Sequence, residues 1–217
     1  MSTLLAVQSC SSCSPALLRH WEYFHRQEAD IEIVIVTEDK PCQVPPGVKK
    51  MAIGVDKYLD AEHLPLRLIN TISALLPSPW SCLILCEYDT VIFNRIKVEE
   101  MDSDVASHLA GQRETYCFFH NPWVFKRDAA VRFVDKGRKV IDEGKCTWNS
   151  AESSPDVFFG IVCDRLRLWI GLSLWTQYSR NSLDVPGHLE EAREAYRSGV
   201  DVIHGIKTAK ELDFITT

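Results

Sequence analysis

The chain has 217 residues and a formal charge of −6, with 24 basic against 30 acidic side chains. That length suits one domain with a sizeable core and is short for two, and its ordinary composition excludes a disordered, collagen-like or coiled-coil chain. The negative balance also excludes a broad cationic footprint for nucleic acid or anionic lipid, leaving a local basic pocket for one phosphorylated ligand as the available alternative.

Taken in chain order, Thr3–Ser9 is a short apolar run that predicts a buried strand. The opening residues carry no basic n-region, and no segment has the length and apolarity of a membrane span. The expectation is therefore a cytoplasmic protein whose eight cysteines are reduced. Ser14-Pro15 has the form of a helix start, with serine as cap and proline in the first turn. Leu17, Leu18, Trp21, Phe24 and His25 follow it at helical spacing. Ile31–Val36, dense in β-branched residues, predicts a second strand, and Val48–Val55 a third after a proline-rich loop. Leu64, Leu68, Ile72 and Leu75 mark an amphipathic helix that Pro77 and Pro79 end.

Cys82–Cys86 predicts a fourth buried strand, which runs into Glu87-Tyr88-Asp89 and then Thr90–Phe93. Alternating strands and helices of this kind predict an α/β fold, its mixed but mostly parallel central sheet flanked by helices. In such sheets ligands gather beyond the carboxyl ends of the strands. The second half is less regular. Tyr116–Val124 reads as strand or extended chain, Asp128–Ile141 as a helix, and Gly144–Ser154 as a polar loop. Asp156–Trp169 fits either a strand or a helix, Leu189–Arg197 is a charged surface helix, and Val202-Ile203 is a short strand reaching His204-Gly205.

Two features carry chemistry. Glu87 and Asp89 stand two residues apart where a buried strand abruptly ends, so both carboxylates can face one site. A hard cation such as Mn2+ or Mg2+ takes such oxygen ligands and bridges them to a diphosphate. The plain alternative is a solvated turn. Near the end of the chain, Val202–Lys207 delivers one imidazole, a glycine and one lysine from a short apolar strand. Imidazole suits a transition metal and lysine suits phosphate, although a lone histidine is more often a structural residue.

Together these features resemble the glycosyltransferases of the GT-A fold. In that family a short acidic motif after a central strand holds metal against the nucleotide diphosphate, and many members add a late histidine and a lysine. Glu87-Tyr88-Asp89 is similar to the acidic motif, and His204-Gly205-Ile206-Lys207 to the late element. The resemblance implies a single GT-A-like domain over 1–217, with a donor half near 1–95 and an acceptor half near 96–217. It implies Asp89, His204 and Glu87 as metal ligands, with Glu87 alternatively facing the ribose, and Lys207 on the phosphates. The implied donor is a UDP- or GDP-linked sugar, the acceptor an unidentified glycan, protein or small molecule. By place in the pattern, Gln8, Ser9 and Cys10 face the base, joined by a polar group among Thr37, Glu38 and Asp39. Arg67 or Asn70 would be contributed by the helix before the motif. In an inverting reaction Asp156, or else Glu152, would serve as general base on the acceptor, the competing reading of Ser154-Pro155-Asp156 being a simple helix start. His120 and Trp123 could form an acceptor platform, although a tryptophan there is more often packed in the core. This sequence departs from the pattern in two ways: glutamate replaces the first aspartate, and no tryptophan follows Lys207.

A rival from another class is thiol redox chemistry. Cys10-Ser11-Ser12-Cys13 follows a strand and opens a helix, the placement used by thioredoxin-like oxidoreductases. The chain is about twice the size such a domain needs. A third alternative is a transferase-like protein that binds a nucleotide sugar without turnover.

Overall fold

The computed structural model describes residues 2–9, 31–37, 49–52, 64–112, 117–144, 154–172, 174–180 and 182–217. The first half of this chain supplies β1 (Thr3–Ser9), β2 (Ile31–Thr37), β3 (Lys49–Ala52), α1 (Leu64–Leu75), β4 (Cys82–Glu87) and β5 (Thr90–Ile92). After it come β6 (Val105–Gln112), β7 (Cys117–Lys126), α2 (Arg127–Asp142) and α3 (Pro155–Leu166). The last stretch holds β8 (Ile170–Gly171), β9 (Gln177–Ser179), α4 (His188–Arg197), β10 (Val202–His204) and α5 (Ala209–Thr216). The helix expected after Ser14 lies outside the described residues.

Among the described residues the strands form a seven-stranded sheet in the order β3-β2-β1-β4-β7-β6-β8, and a three-stranded sheet in the order β5-β10-β9. Strands β1, β2, β3 and β4 are parallel, whereas β7 runs antiparallel to both β4 and β6. The large sheet is thus mixed and mostly parallel, as the alternating pattern predicts. Registers Gln8↔Glu87 and Ser9↔Thr37 bring the carboxyl ends of β1, β2 and β4 to one border.

Strand periodicity sorts the apolar residues into layers. Leu4, Ala6, Leu83, Leu85 and Phe125 share one core cluster with Ile69 and Ile72 of α1, Phe133 of α2 and Phe159 of α3. Leu5, Ile84, Cys86 and Val124 lie in a second cluster with Ile92, Trp175 and Val202, which seats the small sheet against the large one. The alternate residues Val91 and Ile203 enter a third, with Ala192 of α4 and Leu212 and Ile215 of α5. Helices α1 and α2 meet closely at Gly137, where a Cβ would lie 2.2 Å from Ile69 Cδ1.

Strands β6, β8 and β9 and helix α5 escape the sequence pattern. Strand β6 contains Ala, Ser, His, Gly and Gln, residues of weak strand preference, and pairing with β7 holds it in the sheet. Helix α5 is opened by a capping box, in which Thr208 Oγ1 accepts from Glu211 N and Glu211 Oε2 accepts from Thr208 N.

Candidate metal centre

The acidic motif sits where one strand leaves the large sheet and enters the small one. Strand β4 ends at Glu87, the chain turns at Tyr88-Asp89, and β5 begins at Thr90. The Asp89 carbonyl accepts N–H bonds from Gly205 at 2.9 Å and Ile206 at 3.0 Å, tying the turn to the segment beyond β10. Strand β10 runs antiparallel to β5 with His204 opposite Thr90, which brings the late imidazole to the acidic turn. Gly205 makes this geometry attainable. Its φ is +103°, and a Cβ there would stand 2.3 Å from the Arg180 carbonyl oxygen.

Glu87, Asp89 and His204 each offer a ligand atom, and these atoms lie within 4.8 Å of one another. His204 Nε2 stands 3.6 Å from Asp89 Oδ1, beyond good hydrogen-bond distance. Asp89 is only 6 % exposed, and its buried Oδ1 has no hydrogen-bond partner. Octahedral ligands about 2.1 Å from an ion stand about 3 to 4 Å apart, so small side-chain movements would gather these three around one cation. An orphaned carboxylate oxygen beside a second carboxyl and an imidazole fits a divalent ion.

The electrostatics agree with that fit. Burial, aided by the charges of Asp156 and Asp89 and opposed by Arg67, pushes Glu87 up to about 8. Burial and the Asp89 charge push Asp156 up to about 7. Asp89 rises to about 6, again through burial, with a hydrogen bond from its own backbone and the Lys207 charge opposing. Chiefly through burial, His204 is held down at about 4 and is neutral at pH 7. It therefore adds no counter-charge at pH 7 to those of Arg67 and Lys207, and the donor set of the cluster fits a divalent ion.

A second pair adjoins the first. His120 Nε2 lies 3.7 Å from Asp156 Oδ2, and the His120 and His204 ring centroids are 4.9 Å apart. Buried Asp156 Oδ1 and His120 Nδ1 have no hydrogen-bond partner. Asp156 occupies the first turn of α3 behind Pro155, so the segment that was ambiguous from its pattern is both a helix start and part of this cluster.

Other predicted positions fall variously. Gln8 is buried and donates from Nε2 to Thr71 Oγ1 of α1 at 3.0 Å, so its amide joins strand to helix. Ser9 and Thr37 are neighbours in the backbone register; their side chains, with Cys10, Cys13, Glu38, Asp39 and Glu152, lie outside the described residues. Arg67 is buried with its charge acting on Glu87, and Asn70 is half-buried on α1. Lys207 is exposed, its N–H donating to Glu211 Oε2 at 2.8 Å. Trp123 is fully buried, donates to the Phe119 carbonyl at 2.8 Å and stacks on Phe159. It belongs to the core and offers no acceptor platform.

No family model matches this chain, and no curated protein does. Among the described residues no helix is long and apolar enough to cross a membrane.

Sequence reasoning missed Asn121 and Gln177. Asn121 Oδ1 accepts from Glu87 N at 3.0 Å, and Asn121 Nδ2 donates to Glu87 Oε2 at 2.9 Å. The Asn121 carbonyl accepts from Gln177 Nε2 at 2.9 Å. The available signal was an asparagine inside a strand-like run, where that residue is otherwise disfavoured.

Proposed function

We propose that the protein is a metal-dependent glycosyltransferase, moving a sugar from a UDP- or GDP-linked donor to an acceptor hydroxyl in the cytoplasm. The observation that carries this reading is the meeting of Asp89 and His204 with Glu87 beside the carboxyl ends of parallel strands. The donor set suits Mn2+ or Mg2+, and the imidazole favours Mn2+. Bound there, the ion supplies neutralisation of charge on a leaving nucleoside diphosphate.

Asp89, His204 and Glu87 would hold the ion, and the exposed Lys207 would meet the diphosphate as a point charge. Transfer breaks the bond between the anomeric carbon and the diphosphate oxygen and forms one to the acceptor oxygen. Asp156 takes the hydroxyl proton. A base poised near neutrality suits that role, and burial puts Asp156 there. This role separates a transferase from a protein that only binds a nucleotide sugar.

A thermal-unfolding screen of UDP- and GDP-sugars with and without Mn2+ tests the reading. At a donor concentration a hundred times Kd, the midpoint should rise by about 5–10 °C with Mn2+ present. Asp89→Asn should abolish the rise. If no nucleotide sugar shifts the midpoint with Mn2+, or the shift survives Asp89→Asn intact, the reading fails.

A further inference from the structure

We infer that Asn121 is a positioning residue for the cation site, setting Glu87 against His204 through a hydrogen-bond chain that Gln177 carries into the small sheet. The inference rests on the cation reading above and adds residues that touch no ligand themselves.

Asn121 is fully buried within β7, where an asparagine needs a specific reason to reside. Its amide matches Glu87 twice over, accepting from the backbone N–H and donating to Oε2. A neutral amide suits this task, because an aspartate would set two acceptors face to face and an alkyl group would orphan the N–H. One Glu87 oxygen is thereby fixed, and Oε1 is left outside the pair.

Beyond Asn121 the chain continues. Gln177 Nε2 donates both to the Asn121 carbonyl and to Ser179 Oγ at 2.8 Å, while Gln177 Oε1 accepts from Trp175 Nε1 at 2.9 Å. Ser179 lies opposite His204 in the parallel β9–β10 register. Glu87 belongs to the large sheet and His204 to the small one, so their separation depends on how the two sheets are held. The Asn121–Gln177 contact fastens those sheets beside the site.

Titration of the full chain with Mn2+ alone, followed by the electron-paramagnetic-resonance signal of free Mn2+, tests this. Asn121→Ala should weaken Mn2+ binding by about tenfold or more, as removal of partners behind metal ligands does. Gln177→Ala should weaken it in the same direction. In a Glu87→Gln background Asn121→Ala should have no further effect, because its influence passes through Glu87. A merely structural role would leave the same loss in both backgrounds and overturn the inference, as would wild-type affinity in a folded Asn121→Ala protein. Should Asn121→Ala fail to fold, unchanged affinity in Gln177→Ala overturns it instead. If the wild-type chain takes up no Mn2+, the cation reading itself fails and this inference with it. Mn2+ bound normally by wild type and Asn121→Ala alike sinks the inference alone.

Discussion

His204 Nε2 stands 3.6 Å from Asp89 Oδ1 at the corner where the two sheets meet, though the two residues lie far apart in the chain. Neither side chain satisfies the other across that gap. Asp89→Asn and His204→Ala should each weaken Mn2+-dependent donor binding by roughly tenfold or more, measured by calorimetry. The double variant should lose less than the two losses combined, because ligands of one ion act as a unit. Strict additivity would show that they serve separate sites.

The metal-free protein should lose stability as pH rises from about 6.5 to about 8. Glu87 and Asp156 sit at about 8 and about 7 in the folded chain, well above ordinary carboxyl values. Over that window the folded state binds more protons than the unfolded state, so stability falls with increasing pH. Each proton so held contributes a slope of up to about 1.4 kcal/mol per pH unit. Below about 6.5 His120 and His204 act in the opposite sense, since unfolded imidazoles there take protons that the folded ones, at about 4, refuse. Urea unfolding at closely spaced pH values measures this, and saturating Mn2+ should flatten the slope. A stability that climbs across the window would contradict the assignment.

Asp156→Asn should preserve donor affinity and lower turnover by about 10²–10⁴-fold, because only the proton acceptor is removed. Donor binding by calorimetry and single-turnover transfer separate the two effects. Full activity in the variant would remove Asp156 from the reaction.

Gly205→Ala should cost about 1–3 kcal/mol through its positive φ alone, and more where Cβ meets the Arg180 carbonyl. The unfolding midpoint should drop by at least about 2 °C, as differential scanning calorimetry would measure. Because His204 immediately precedes it, Mn2+ affinity should fall as well. A variant as stable as wild type would mean that the segment relaxes without strain.

Much of the framework was legible because its signals are local. Apolar runs gave β1, β2 and β4, and the abrupt change at Glu87 marked a strand end that the register places beside Gln8. What stayed hidden depends on partners distant in sequence. Asn121 looks like a polar intrusion until Glu87 is seen to satisfy its amide. Trp123 reads in sequence more as a core residue than as a binding surface, and its burial against Phe159 of α3 bears that out. Gln8 has the placement of a base contact, yet Thr71 already receives its amide hydrogen.

The turn at Tyr88-Asp89 carries the chain directly from one sheet into the other, and this has a consequence for the order of maturation. Strand β5 is made early, but β10, with which it pairs, is made about half a chain later. Among the described residues β10 is the strand that pairs with β5, so that pairing waits for Val202–His204, and closing so long a loop is slow. On a ribosome the parallel strands β1, β2 and β4 can associate well before the imidazole has been synthesised. A polypeptide interrupted short of residue 204 would carry Glu87, Asp89 and Asp156 with no His204 to complete the set. The three-residue cluster is therefore assembled only once the last part of the chain has been made.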